Sequence, residues 1–288
     1  MPDISVVILT YNSEKYIGKL LKSLISKYKD QIRDEKLEII VADNNSSDDT
    51  IKIASKVKEV TMVQNGGNFG FAKGINLGAP HAKGEFLFFI NPDSVLLKGD
   101  IFSLKEKFMD NKVAIVGGKI LKPSGGQELS CGKFYNLFNV FLLSVGLEEK
   151  LGVRFSPKKE RHVDFVSGGF MMVRKNLWRQ MGGFDENFFM YIEDMELCFR
   201  ARKKKLKVLF SNSATIQHVG QASSNRTFAV VNIYKGLLYF HKKHMGAVSF
   251  FLVRTLLILK AILLVIIGKM SNNKYLGETY MQALKASL

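Results

Sequence analysis

Short runs of Ile, Val, Leu and Phe, each closed by polar residues, set the pattern of the N-terminal third of the chain. They cover Ile4 to Leu9, Leu37 to Ala42, Val60 to Gln64 and Phe86 to Ile90. Runs of this length predict strands, and their near-continuous apolar character predicts cover on both faces. Between the first two runs, Tyr16, Ile17, Leu20, Leu21, Leu24 and Ile25 recur at helical spacing. Asn12 or Ser13 stands where a helix cap belongs. Alternation of strand and helix repeated in this way predicts an α/β fold: a mostly parallel, Rossmann-like sheet flanked by helices, with right-handed crossovers.

After Val113 to Val116 the alternation loosens. Residues 119–162 read either as a variable loop region with a short helix or as a satellite of the core. Regular pattern resumes at "VDFVSGGFMMVRKNLW". It predicts a helix from Ile192 to Lys203 and strands at Lys207–Phe210 and Ala214–Gln217. The pattern changes again near the C-terminus, where 247–268 are mostly Leu, Ile, Val and Phe. That is long enough to span a bilayer, which takes about 20 residues. Arg254 and Lys260 interrupt it, however. A central charge costs about 2.5–3.5 kcal/mol, and each large apolar residue returns about 0.3–0.6 kcal/mol. The balance is marginal and favours a helix lying in the membrane plane or re-entering it over a true span. A helix packed on the core or in a dimer is the soluble alternative. The chain thus divides into residues 1–224, an α/β domain, and 225–288, a helical membrane-associating extension.

Composition narrows the partners. Lys and Arg number 42 against 26 Asp and Glu, a net charge of +16. A basic surface suits nucleic acid, anionic lipid or phosphorylated ligands. No zinc-finger spacing, RNP-type strand or basic heptad region accompanies it, so nucleic acid is set aside. The run Arg200 to Lys207 reads as a solvated helix end. Cys131 and Cys198 make no disulfide framework and fit reduced thiols in a cytoplasmic setting. The N-terminus reads as a first strand rather than a leader.

Candidate chemistry lies at the ends of the apolar runs: Asp43, Asp93 and the pair Glu193-Asp194. Ligands of open α/β sheets bind beyond the carboxyl ends of the strands. The first two acids should therefore gather at one sheet edge, and the third opens a helix that can reach the same cleft. Carboxylates in that position suit a nucleotide, a divalent metal and a general base.

Six segments carry a resemblance: "SVVILTYNSEKYI", "VADNNSSDDT", "NFGFAKGINLG", "FINPDS", "GGFDENFFMYIEDMELCFRAR" and "IQHVGQAS". In this order, over about residues 4–224, they resemble family-2 glycosyltransferases of the GT-A fold, and within them the bacterial rhamnosyltransferase-like enzymes. The resemblance implies that Thr10, Tyr11, Asn12 and Asp43 hold the nucleobase. A carboxylate can accept a ring N–H and Tyr11 can wall the base. Asn68, Lys73 and Asp93 are donor contacts. Asn91, Asp93 and His218 hold Mg²⁺ or Mn²⁺ on the donor diphosphate. Asn91 departs from the family's Asp-x-Asp element, leaving one carboxylate there; Mg²⁺ takes the rest of its shell from water and phosphate. Asp194 is implied as the catalytic base with Glu193 in support, kept ionised by the helix N-terminus. Glu196 and Arg200 read as a structural i, i+4 pair. Gly168, Gly169 and "GGFDENFF" shape the acceptor pocket. The expected reaction is inverting transfer from a nucleotide sugar, dTDP-rhamnose first and a UDP-sugar second, to a lipid-linked saccharide at the inner membrane face; a homo-oligomer is possible. Rival readings are a sugar-1-phosphate nucleotidyltransferase and a membrane-peripheral nucleotide- or glycan-binding protein without turnover.

Overall fold

The computed structural model describes residues 1–220 and 225–288. The last residues of "IQHVGQAS" and the division at 224 lie outside the described residues. Strand β1 (Ile4–Thr10) leads into α1 (Glu14–Lys27), whose Ile17, Leu20, Leu21 and Leu24 are buried as their spacing predicts. Then follow α2 (Lys29–Arg33), β2 (Leu37–Asp43), α3 (Thr50–Ser55), β3 (Val60–Gln64), α4 (Gly70–Gly78) and β4 (Phe86–Ile90). Strands β1 and β4 are buried throughout. β1 pairs in parallel with β2 and β4, and β2 with β3. Thr10 lies opposite Asp43 in that register, so the ends of β1 and β2 meet at one edge.

Beyond β4 the chain adds β5 (Ser94–Gly99), α5 (Ile101–Glu106), β6 (Val113–Leu121), β7 (Cys131–Gly132), α6 (Leu137–Ser144), β8 (Arg154–Phe155), β9 (Arg161–Val163), β10 (Phe165–Val166) and β11 (Phe170–Arg174). Next come α7 (Lys175–Met181), α8 (Glu193–Lys203) and β12 (Lys207–His218). The main sheet runs β3-β2-β1-β4-β11-β6-β12-β5, with β9 also paired to β12. It is mixed: β11 is antiparallel to both neighbours, while β6 and β12 are parallel. The parallel pairs among β1 to β4 are the part that the alternation predicted, and β6–β12 adds one more. The expected strands at Lys207–Phe210 and Ala214–Gln217 are one strand, whose pairing with β6 is irregular between Phe210 and Thr215.

Residues 119–162 are part of the core. A second small sheet, β10-β7-β8, forms there, and Cys131, Tyr135, Val140, Leu142 and Val153 share one apolar cluster with Phe89, Val173 and Leu197. Burial pushes the Cys131 thiol up to about 12 and raises that of Cys198, so both are inert thiols.

Three helices end the chain: α9 (Arg226–His244), α10 (Gly246–Met270) and α11 (Lys274–Ser287). Leu237, Phe240, Val253, Leu257 and Ala283 enter the same apolar cluster as the sheet. A buried ionic node joins these helices to α8. Glu196 is 0 % exposed and accepts from Arg200 Nε at 2.8 Å and Lys243 Nζ at 2.8 Å, and lies 2.9 Å from His244 Nε2, an imidazole whose pKa burial lowers. Lys243 also meets Asp185 at 2.7 Å, and Arg200 bonds the Met181 and Gly183 carbonyls. The Glu196–Arg200 pair thus exists as its spacing implied, but inside the protein rather than on a solvated face. Removing one partner of a buried ion pair strands the others. Glu196→Ala is expected to cost about 2–3 kcal/mol, less than a fully enclosed pair because Lys243 keeps a third of its side chain in water. Urea unfolding measures this, and an unchanged midpoint would contradict it.

Candidate active site

The carboxyl ends of β1, β2 and β4 open into a cleft of about 310 Å³. Its walls include Thr10, Tyr11, Asn68, Phe71, Asn91 and Asp93, with Phe189 and Phe228 opposite. Tyr11 is 38 % exposed and offers its ring to this space. Thr10 donates to Asp43 Oδ1 at 2.7 Å. Asp43 itself is 0 % exposed and does not border the cleft. It also accepts from the Ser46 amide and hydroxyl at 2.7 and 2.6 Å. Its present role is to brace the loop after β2 against β1. Asn12, left-handed at φ 48°, does the same from the other side: its Oδ1 accepts from the Ser47 amide at 2.9 Å.

The glycine-rich turn before α4 is internally bonded. Asn68 Oδ1 accepts from the Gly70 amide at 3.2 Å, and the Phe71 amide donates to the Phe189 carbonyl at 2.6 Å. Lys73 lies outside the cleft lining, 3.9 Å from Glu186 and above the Phe69 ring at 4.7 Å. An exposed pair of this kind contributes little to stability.

The loop after β4 and the end of β12 bring Asn91, Asp93 and His218 together. His218 Nε2 lies 3.2 Å from Asp93 Oδ1 and 3.2 Å from Asn91 Nδ2. Its Nδ1 lies 2.9 Å from Glu128 Oε2, and Asp93 Oδ2 accepts from the Gly220 amide at 3.1 Å. Burial would push the imidazole down, but the hydrogen bonds to Asp93 and Glu128 outweigh it and raise its pKa to about 10. Among the described residues no three His, Cys, Asp or Glu side chains gather as a metal cage. The chemistry of the set still fits a divalent ion that draws most of its shell from diphosphate and water. Asp93 supplies the charge, His218 an imidazole once its proton leaves, and Asn91 an amide oxygen after rotation. Glu128 orients the histidine from behind. Sequence reasoning missed Glu128, because it lies in the stretch with no regular pattern.

Helix α8 begins directly after two left-handed residues, Tyr191 (φ 70°) and Ile192 (φ 72°). For a β-branched residue this is a strained conformation, costing of order 1–3 kcal/mol and held by its surroundings. Gly236 of α9 makes room for it: a Cβ there would stand 2.9 Å from Ile192 Cγ1. The strain aims Glu193 and Asp194 inward. Asp194 Oδ2 accepts from the Gly168 amide at 3.0 Å, and Oδ1 from the Met195 amide at 2.7 Å. Glu193 is buried, and its Oε2 has no hydrogen-bond partner among the described residues.

The helix N-terminus was expected to keep these acids ionised, and burial opposes it. Burial raises the Asp194 carboxyl, partly offset by the Gly168 and Met195 amides and by the positive charge of Arg154. Burial and the neighbouring Asp194 charge lift Glu193 well above the carboxylate range. The upward push is therefore stronger on Glu193, and Asp194 is the better hydrogen-bonded of the two. Arg154 too was missed from sequence, for the same reason as Glu128.

The turn Ser167–Phe170 joins the acid to the cleft. Gly168 lies between Asp194 and the cleft-lining Phe71: a Cβ on it would be 3.3 Å from Asp194 Cβ and 3.2 Å from Phe71. At Gly169 a Cβ would stand 2.6 Å from Asn91 Nδ2, and the Asn91 amide donates to the Gly169 carbonyl at 3.2 Å. The predicted residues thus separate into Thr10, Tyr11, Asn68, Asn91 and Asp93 on the cleft wall, His218 behind Asn91 and Asp93, Asp194 behind Gly168, and Asn12, Asp43, Lys73 and Glu193 outside the lining. A second groove of about 810 Å³ adjoins the cleft through Phe189, Met190, Asn225 and Phe228 and continues between α9 and α11.

Residues 5–182 match the glycosyl transferase family 2 description. The chain belongs to that family. Its fold is GT-A, as the resemblance implied. Over 215 residues it is 29 % identical to a low-salt glycan biosynthesis hexosyltransferase, Agl10, from Haloferax volcanii, covering 72 % of this chain and 64 % of that protein. Over 249 residues it is 26 % identical to the N-acetylglucosaminyl-diphospho-decaprenol L-rhamnosyltransferase of Mycobacterium tuberculosis, covering 77 % of each. The mannosyltransferase of Pyrobaculum calidifontis, solved with GDP-Man and Mn²⁺, superposes on the whole chain and 86 % of its own at a TM-score of 0.56 and 18 % identity. That likeness shows the fold alone.

Glu193 gives a pH test of the buried pair. A carboxyl raised in the folded state binds more protons folded than unfolded, so it lowers stability as pH rises above its unfolded value near 4.5. Glu193→Gln removes that loss. The melting temperature of the variant should gain on that of the native protein between pH 4.5 and neutrality. A constant difference across that range would contradict a raised Glu193.

Proposed function

We propose that this chain is an inverting, metal-assisted sugar transferase working at the inner face of a membrane. It moves one sugar, rhamnose by first choice, from a nucleoside diphosphate donor to a saccharide carried on a polyprenyl diphosphate, as a step in cell-envelope polysaccharide synthesis. The observation that carries this reading is Asp194 held by the Gly168 amide, one residue from the glycine that packs on Asn91 beside Asp93 and His218. The carboxylate proposed as base and the residues proposed to hold the metal cation thus flank one glycine turn.

In this reading the nucleobase lies against Tyr11, with Thr10 at its edge and Asp43 fixing the loop from behind. Asp93, Asn91 and His218 would hold the divalent ion, which when bound supplies positive charge to the departing diphosphate. Asp194 takes the proton of the acceptor hydroxyl. The bond from that oxygen to the anomeric carbon forms as the bond from the same carbon to the diphosphate oxygen breaks, opposite to it, so configuration inverts. The leaving nucleoside diphosphate is a stable anion and needs a cation rather than a proton. Glu193, holding a proton, keeps a second negative charge away from the base. The acceptor saccharide approaches through the groove beside α9 and α11, and residues 225–288 serve attachment while 1–224 carry the chemistry.

The support for rhamnose and for a lipid-linked acceptor is the mycobacterial relative's name. A hexose or N-acetylhexosamine donated from UDP is the second reading, and its hexose part is supported by the name of the relative Agl10, a hexosyltransferase. Loss of turnover with retained sugar binding is disfavoured by the presence of both Asp93 and Asp194.

Donor binding and chemistry separate in one experiment. Nucleotide sugars tested with and without Mn²⁺ or Mg²⁺ should raise the melting temperature only with metal. Asp194→Asn should keep that rise while turnover falls about 10²–10⁴-fold, the usual worth of a positioned base. Unchanged turnover in Asp194→Asn would remove Asp194 as the base, and absence of any donor response would remove the transferase reading.

A further inference from the structure

Helix α10 carries two stripes. Val253, Leu257, Ala261, Val265 and Gly268 are buried along its whole length, where α9, α11 and α6 pack on it. On the other face Val248, Phe251, Leu259, Ile262, Ile266 and Met270 are exposed, Leu259 by 60 %. Its mean hydropathy is 2.6, yet little of it is buried within the protein. A core helix would not show this face to water.

Helix α6 adds a second exposed apolar face. Phe138, Phe141 and Val145 fall on one side of it at helical spacing, and Phe138 is 64 % exposed. Leu147 and Leu151 follow in the next turn, also exposed. The helix is docked on α10: Lys260 Nζ donates to the Leu143 carbonyl at 3.4 Å, and the two helices pack together. Two segments more than a hundred residues apart thus present large apolar side chains side by side.

Exposed lysines bracket both. Lys242 precedes α10, and Lys269 and Lys274 end it; Lys133 and Lys150 flank α6, with Glu149 the exposed acid beside them. Apolar side chains between cationic ends match the boundary of an anionic bilayer, where acyl chains meet negatively charged headgroups. A second copy of the chain would bring these lysines against their own kind.

We propose that α6 and α10 together form an in-plane membrane-docking face for an anionic bilayer, with α10 lying along the surface rather than crossing it. The proposal rests on the membrane-face reading above and deepens it. Packing decides against a span. If α10 crossed the bilayer, α9 and α11, which lie along its buried stripe, would enter the hydrocarbon with the exposed Lys235, Glu278 and Gln282. Lying flat, α10 submerges its apolar stripe while α9 and α11 stay in water. Lys260, half-way along, is held by the Leu143 carbonyl and needs no lipid partner. The groove between α9 and α11 then opens beside the bilayer, where a polyprenyl-linked acceptor resides.

The test uses the full chain, with its single tryptophan, the buried Trp178, as internal reference. Phe141→Trp, Leu252→Trp, Leu259→Trp and Ile266→Trp are each mixed with phosphatidylglycerol vesicles brominated at a defined acyl depth. All four should be quenched to a similar extent, and vesicles of neutral phosphatidylcholine should bind at least ten-fold more weakly. A depth gradient from Leu252→Trp to Ile266→Trp would overturn the in-plane orientation. Quenching of the α10 variants with Phe141→Trp silent would overturn the part assigned to α6 and leave membrane attachment standing. Equal binding to neutral vesicles would overturn the role of the lysines. No quenching at any position would overturn the docking face and the membrane part of the function, while sugar transfer to a soluble acceptor would still be measurable. Phe138→Ser with Phe141→Ser supplies an independent check: vesicle affinity should fall about ten-fold with an unchanged melting temperature, and unchanged affinity would contradict the proposal.

Discussion

Two glycines without side chains, Gly168 and Gly169, set the distance between the Asp194 carboxylate, proposed as the base, and the Asn91–Asp93 loop, proposed to hold the cation. On one side the Gly168 amide holds the Asp194 carboxylate; on the other the Gly169 backbone packs on the Asn91 amide group. The turn is fixed at both ends, by β10 in the small sheet and by β11 in the middle of the large one. A reaction that needs a base and a cation on opposite sides of one carbon depends on such spacing. Misplacement by about 1 Å in a bound complex costs about 10²-fold in rate.

The electrostatics around the turn follow from burial. Placing Glu193 and Asp194 side by side out of water raises both, and the cost falls mainly on Glu193, whose Oε2 has no partner among the described residues. Asp194 is relieved by two amides and by Arg154. Across the turn, hydrogen bonds to Asp93 and Glu128 raise the pKa of His218 against the effect of its burial. The strained entry to α8 is held from the other direction: Ile192 packs on Gly236, and Glu196 ties α8 to Lys243 and His244. The C-terminal helices therefore bear directly on the geometry of the acid pair.

Much of this was legible in the sequence, and for physical reasons. Buried parallel strands write continuous apolar runs, so Ile4 to Leu9 and Phe86 to Ile90 announced the sheet, and the acids beyond them announced its working edge. The β-branched and aromatic residues of 207–217 announced strand structure, while the polar Ser211 to Ser213 concealed that it is one strand. What stayed illegible depends on partners far away in the chain. Arg154 and Glu128 lie in a stretch held by two-residue strands, too short to leave a period. Asp43 gave no sign that Thr10 and Ser46 would enclose it, nor Glu196 that Lys243 and His244 of α9 would meet it. Phe138 and Phe141 looked like part of a loop because the helix they sit on gains its cover from α10.

The most direct measurement of the central claim is the steady-state turnover of Gly169→Ala. The added methyl would stand 2.6 Å from Asn91 Nδ2, so Asn91 must move while the fold has no reason to. The account predicts a fall in kcat of about 100-fold with a melting temperature close to that of the native protein. Full turnover in Gly169→Ala would contradict it, because the spacing between base and cation would then not depend on this turn.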